Sequence, residues 1–273
     1  MTMRLRNLAL PGLFWLFVAY LFLPLLVMAA MGFRDSNFVA FPIHSWTTKW
    51  YGEVLLDRDV MEALWLSAKV AVASTVISVA VGLPVAFAVA RTSGIARGLL
   101  IALILLPAFL PVVVSAISLR IFIGRIGLET GTAAIAFGHA VGSVPFVVIM
   151  VLTRLNTMGR NMADAARNLG ADDVIILVRI VLPCLSPALL GAFMFCLLLS
   201  FEDFVRSFFL GGFEQTFPVL LFARLRFGFD PGLAAISTIV LIATTGFGLY
   251  AERFVRKRSL RSETSLTSGA KND

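Results

Sequence analysis

Two cysteines in 273 residues leave little scope for cysteine chemistry. Cys184 and Cys196 lack metal-ligand spacing, and their different depths along an apolar run argue against a disulfide, so both read as packing residues. Charge is scarce too: 14% of residues are Asp, Glu, Lys or Arg, against roughly 25% in a soluble domain. No G-x-x-x-x-G-K-[ST] loop is present to cradle nucleotide phosphates, no His/Cys/carboxylate cluster has metal spacing, and no nucleophile elbow occurs. The chain therefore cannot cradle ATP phosphates in a P-loop and offers neither a metal-ligand spacing nor a nucleophile elbow; it is expected to be no enzyme and to carry no cofactor of its own.

What is present is apolar. Hydrophobic residues make up 59% of the chain and the mean hydropathy is +0.93. They come in runs of about twenty or more, the length that crosses a hydrocarbon core of roughly 30 Å. The expectation is an all-α integral membrane protein with six transmembrane helices.

The first run covers Leu8–Phe33 behind Arg4 and Arg6. A cleaved signal peptide is the rival reading, but the apolar stretch is about twice the usual h-region, which favours a retained helix. Residues 34–63 are polar, net acidic and Trp-bearing, and suit an external segment with Trp46, Trp50 and Trp65 at headgroup level. The second span is Ala63–Ala90, crossing Pro84. The third, Gly98–Leu119, contains Pro107 and Pro111 and predicts one kinked helix facing protein, because each proline frees a carbonyl that lipid cannot satisfy. The fourth is Thr132–Thr153, the fifth Ser186–Phe204, and the sixth follows a Phe- and Gly-rich outer loop, Arg206–Gly232, and reaches Tyr250. Three regions follow: 1–62, an N-terminal helix with its external segment; 63–252, the core membrane domain; and 253–273, a basic then polar tail expected to lose order near its end.

Charge supports this topology with both termini in the cytoplasm. The inner side then holds 14 of the 23 Lys and Arg and nets +8, while the remainder nets −1. That asymmetry is the positive-inside rule, and it accounts for the net +7 without any nucleic-acid partner.

The long inner connection, Arg154 to Leu185, carries the most chemistry. Met162–Leu169 predicts a short helix capped by Asn161, with Gly170 at a left-handed C-terminal turn. Asp172–Val181 predicts a second helix with an acidic start, stopping before Pro183. Loops of this length with helices of their own are usually functional. Small Ala165 and Ala166 allow close approach by a partner, and Asp164 offers it a carboxylate.

This segment resembles the cytoplasmic coupling loop of ABC-importer permeases, whose pattern is E-A-A, three residues, Gly, nine residues, Ile-x-Leu-Pro. Ala165, Ala166, Gly170, Ile180, Leu182 and Pro183 fall in register, with Asp164 in place of the Glu. The double-proline stretch Leu105–Val113, the segment Gly138–Phe146 with Arg154-Leu155, and Ser200-Phe-Glu-Asp-Phe204 with Pro218-Val-Leu extend the likeness over residues 63–250. The last two resemble the spermidine/putrescine-type subgroup. The resemblance implies a type I permease fold in a bacterial inner membrane, partnered by ABC ATPase subunits that hold ATP and Mg, a second permease in a heterodimer, and a periplasmic solute-binding protein. It also implies a polyamine substrate, with an opine, an amino-acid derivative or another small organic solute as the alternative.

Glu202 and Asp203 are the most suggestive polar pair. Carboxylates at the end of a membrane helix are costly unless they face water, a partner or a cation. Facing the translocation path, they favour a cationic solute; at the membrane surface, they pair with Arg206 on the next turn. His139, beside Gly138 and Gly142, reads as a helix-packing residue, and Lys69 and Glu62 read as interfacial. An ion-coupled secondary transporter is the rival class, but no internal repeat is evident and His139 is the sole deep titratable candidate.

Overall fold

The computed structural model describes the backbone of residues 2–36, 42–158 and 161–269, with side chains over 11–36, 42–158 and 165–256. Among the described residues every regular element is helical, save an isolated antiparallel bridge between Arg34 and Trp46. The chain divides into two units: 1–62 with 220–244, and 63–219 with 245–273.

The first unit opens with α1 (Thr2–Met31), followed by α2 (Lys49–Leu56). From Pro11 onward α1 has no buried residue in its most apolar window, and Leu13, Trp15 and Tyr20 are all well exposed. An apolar helix exposed on every side is solvated by lipid. Between α1 and α2 the bridge is closed by Thr47 N donating to Phe33 O at 2.7 Å, and Trp50 Nε1 donates to Arg34 O at 2.7 Å. Trp50 is therefore a fastener of this turn as well as an amphipathic ring. Trp46 is exposed.

α3 spans Arg58–Arg91, α4 Gly94–Phe109, α5 Val112–Arg125 and α6 Thr132–Thr157. In the second unit α6 is the central element, with two thirds of its apolar window buried. Val147, Val148 and Val151 of α6 pack with Ala86 of α3 and with Leu185, Ala192 and Cys196 further along the chain. Gly82 of α3 lies so close to α6 that a Cβ there would stand 2.7 Å from Val147 Cγ1.

The expected third span is not one kinked helix. α4 and α5 meet at 100°, with Leu110 and Pro111 in extended conformation between them. Proline spacing explains the break: Pro111 offers no N–H to continue α4, and it drives Leu110 out of the helical region. Among the described residues five helices are long and apolar enough to cross a membrane, and six spans result when the bent α4–α5 pair is counted as one broken span. The molecule is a multi-pass membrane protein.

α7 covers Asn161–Asn168 and α8 Asp173–Ile176; α8 passes through a π-helical turn, Leu177–Val181, into α9, Leu182–Phe201. The predicted stop before Pro183 does not occur, and the fifth apolar helix starts at Asp173 rather than Ser186. The π turn is the reason. Leu182 N reaches back five residues to Leu177 O, and the widened turn admits the Pro183 ring without a clash against the preceding carbonyls. The expected outer loop, 206–232, is itself largely helical, with α10 at Phe204–Leu210 and α11 at Phe217–Leu225. α12 runs from Pro231 to Gly269, well into the expected tail; residues 270–273 lie outside the described residues.

Candidate coupling and translocation sites

The α7–α8 connection has the geometry its residue types dictate. Gly170 takes φ +85° and donates to Arg167 O at 2.9 Å, while Ala171 N reaches Ala166 O at 3.0 Å, closing α7 through a left-handed residue. Asp172 caps α8 by accepting from Val174 N at 2.9 Å, and Arg167 Nη2 lies 3.0 Å from Asp173 Oδ1, tying the two helices together. Ala165 and Gly170 are exposed, Ala166, Ile180 and Leu182 are half-buried, and Pro183 is exposed. Asp164 belongs to α7 by its backbone; its side chain lies outside the described residues.

Large apolar residues interrupt this polar segment and point outward. Leu169 is 88% exposed and Val174 64%, while Ile176 anchors the segment from beneath at 3%. A cavity of about 500 Å³ runs alongside, lined by Pro84, Phe87 and Arg91 of α3 and by Val174, Leu177 and Val181. A two-helix elbow with apolar side chains at its tip is suited to insertion into a complementary surface.

The predicted acid pair is split by the structure. α9 ends at Phe201; Glu202 is exposed, whereas Asp203 turns inward as the cap of α10 and accepts from Arg206 N at 3.0 Å. Asp203 Oδ2 also pairs with Arg206 Nη1 at 2.6 Å, with both side chains only 10–13% exposed. The anticipated Asp203–Arg206 pairing is thus real, but nearly buried rather than at the surface. The guanidinium lies flat on Gly142 of α6, where a Cβ would stand 2.7 Å from Arg206 Cζ.

Sequence reasoning missed what lies beside this pair. His139, 2% exposed, brings its Nδ1 within 2.7 Å of Ser200 Oγ and its Nε2 within 3.1 Å of Ser207 Oγ; Asp203 Oδ2 is 4.0 Å from Nε2. Ser74 Oγ of α3 bonds Ser200 Oγ at 2.9 Å, and Ser78 Oγ reaches Ala140 O at 3.4 Å. α3, α6, α9 and α10 therefore share one buried polar knot. His139 does pack between helices, but it does so through both ring nitrogens. The available signal was the set Ser74, Ser78, Ser200 and Ser207 in otherwise apolar segments, since a buried hydroxyl needs a partner. Lys69 is exposed, and Glu62 pairs with Arg58 at 2.6 Å on the surface.

No family model matches the chain. Among individual relatives, the molybdenum transport system permease protein ModB of Mycobacterium bovis is 30% identical over 227 residues, covering 75% of this chain and 84% of the relative. The spermidine/putrescine transport system permease protein PotC of Escherichia coli K12 is 27% identical over 242 residues, covering 88% of this chain and 91% of the relative. The chain belongs to the ABC-importer permease family. Its putrescine relative PotI, also from E. coli K12, is 28% identical over 245 residues and covers 85% of each chain, which agrees with the spermidine/putrescine-type subgroup. The permease fold is shared with a bacterial ABC transporter that imports the acidic polysaccharide alginate, at TM-score 0.71 and 19% identity over 94% of this chain and 97% of that one. The MetNI methionine transporter in an inward-facing conformation aligns at TM-score 0.62 and 19% identity over 73% of this chain and 95% of that one. This permease therefore holds the α7–α8 elbow and the His139 knot within a known architecture.

Proposed function

We propose that this permease is the membrane subunit of an ATP-driven importer for a polyamine of the spermidine or putrescine type. The observation that carries the substrate is the agreement of two independent features. Relatives named for spermidine and putrescine align over 85–88% of this chain, and the exposed Glu202 stands at the end of a membrane helix, where a carboxylate favours a cationic solute. The ModB relative supports a second reading, uptake of molybdenum as an oxyanion; Arg206, the guanidinium on the turn after Glu202, is already paired with Asp203.

In the polyamine reading, the permease lies in the inner membrane with both termini cytoplasmic. Its partners are ABC ATPase subunits, a second and different permease, and a periplasmic solute-binding protein; a solved alginate importer of the same fold was captured with its substrate-loaded periplasmic protein. ATP and Mg reside on the ATPase subunits. This chain contributes the elbow, with Asp164, Ala165, Ala166 and Gly170, and the helical continuation through Ile180, Leu182 and Pro183 into α9. Closure of the ATPase pair moves the elbow, and α9 carries the movement toward Glu202 and Asp203. The two states differ in free energy by what each partner binds more tightly in one than in the other. No covalent step occurs on this chain.

Uptake of labelled putrescine and spermidine in cells lacking their other amine transporters, with and without the gene, tests the reading. Gene-dependent uptake supports it; gene-dependent uptake of molybdate with none of either amine replaces it by the oxyanion reading.

A further inference from the structure

The run from Asp173 through the π turn to Phe201 is one unbroken helical rod of 29 residues, roughly 40 Å at 1.5 Å per residue. It starts at the elbow and stops at a single joint, Glu202–Asp203, where Asp203 leaves the helical region at φ −74°, ψ 95°. A free joint would let α10 lag behind α9, and movement of the rod would be absorbed in two residues.

Both sides of that joint are held from one face of α6. Ser200 is the second residue before the joint and bonds His139 Nδ1; Ser207 is on the first turn past it and bonds Nε2. One imidazole therefore spans the joint, its two nitrogens flanking Cε1 and directing their bonds apart from a rigid ring. The same face of α6 receives α10 through its glycines: Leu210 sits against Gly138, and the Arg206 guanidinium against Gly142. Gly138, His139 and Gly142 are spaced to share a helix face. Asp203, within the joint, is fixed by Arg206 in turn. Ser74 of α3 holds Ser200 from behind.

We propose that His139 is the positioning residue of this permease: it clamps the α9–α10 joint so that α9 and α10 travel with α6 as one body when the elbow moves. The proposal rests on the elbow being the docking element for the ATPase. His139 touches neither solute nor nucleotide in this role.

The test uses the whole importer, reconstituted with its ATPase subunits, second permease and binding protein. His139→Ala should retain the co-purifying ATPase and its basal hydrolysis, yet lose about tenfold or more of uptake and of the stimulation by solute-loaded binding protein, with KM for the solute unchanged. His139→Asn keeps a group where Nδ1 stood and His139→Gln one where Nε2 stood, so each should recover part of the coupling. A role in packing alone would be rescued by His139→Phe or His139→Leu, which fill the space without the bonds. Wild-type stimulation in His139→Ala, or full rescue by the apolar variants, overturns the proposal. A change confined to KM overturns it as well, in favour of solute contact. Should His139→Ala fail to assemble, Ser207→Ala removes one bond and little volume; wild-type coupling in that assembled variant also overturns the clamp. Gly170→Trp runs in parallel: if it transports normally, the docking role of the elbow fails, whatever His139 does.

Discussion

Replacing Gly142 by alanine adds one methyl group and tests the joint from the opposite side. The new Cβ would stand 2.7 Å from Arg206 Cζ, 2.8 Å from Nη2 and 3.0 Å from Nη1, distances at which something must move. The α6 backbone is packed, whereas the guanidinium ends a flexible side chain, so the guanidinium is what shifts off Gly142 and strains its 2.6 Å pair with Asp203. Breaking a buried ion pair costs about 3–5 kcal/mol when one charge is stranded, and alanine returns about 1 kcal/mol of helix propensity over glycine. Since the pair is not fully buried and Arg206 takes Asp203 some way with it, a net destabilisation of about 2 kcal/mol is expected, or roughly thirtyfold in the population of the docked α10. Gly191→Ala is the matched control: it lies in α9 with nothing within 4 Å of the added Cβ, so only the propensity gain applies. The assay is thermal unfolding of the purified complex together with binding-protein-stimulated ATP hydrolysis. If Gly142→Ala matches Gly191→Ala in both, the guanidinium does not rest on α6 and the reasoning fails.

Gly170 at φ +85° is strained by any side chain, by roughly 1–2 kcal/mol from backbone alone, so Gly170→Trp should abolish uptake while membrane levels measured by immunoblot stay normal. Glu202→Gln is expected to raise KM for a cationic solute without lowering the melting temperature. Asp203→Asn should lower both stability and uptake, because it also releases Arg206; equal effects of the two substitutions would contradict the split geometry. At the start of α3, burial opposes ionisation of Asp57, but the Arg224 side chain at 2.8 Å and the N–H groups of Val60 and Asp59 outweigh it and hold its pKa below the ordinary value. The folded state therefore binds fewer protons than the unfolded one in that window. The stabilisation is complete above the usual Asp range near about 4 and disappears as pH falls through the lowered value. Melting temperature measured from neutral to acid pH should fall less steeply in Asp57→Asn than in the wild type. The exposed Arg58–Glu62 pair should contribute no measurable difference in the same series.

The membrane spans and the elbow were legible in the chain because their signals are local. Apolar runs long enough to cross lipid predict helices with little help from tertiary packing, and Gly170 predicts a left-handed turn from its missing Cβ alone. The break between α4 and α5 was half legible. Two prolines announced a disturbance near residues 107–111, but whether a carbonyl freed by proline ends in a kink or a 100° turn depends on what neighbours can satisfy it. Pro183 misled for a similar reason: a proline predicts a stop, and the π turn that removes the clash is a backbone adjustment with no residue signature of its own.

The His139 knot belonged wholly to the tertiary structure. Ser74 and Ser200 are 126 positions apart, and His139 lies 61 from Ser200 and 68 from Ser207, separations over which no periodicity or motif spacing carries information. Each residue taken alone has an ordinary reading as a small or amphipathic side chain in an apolar helix. Only packing α3, α6, α9 and α10 around one point removes water from all of them at once, and then each buried polar atom must find another. From the chain alone it follows that the protein crosses a membrane and turns at Gly170 between two short helices, since lipid and backbone sterics act over a few turns of helix. Which polar groups meet inside, and that Asp203 turns in while Glu202 stays out, was decided by how those helices close on one another.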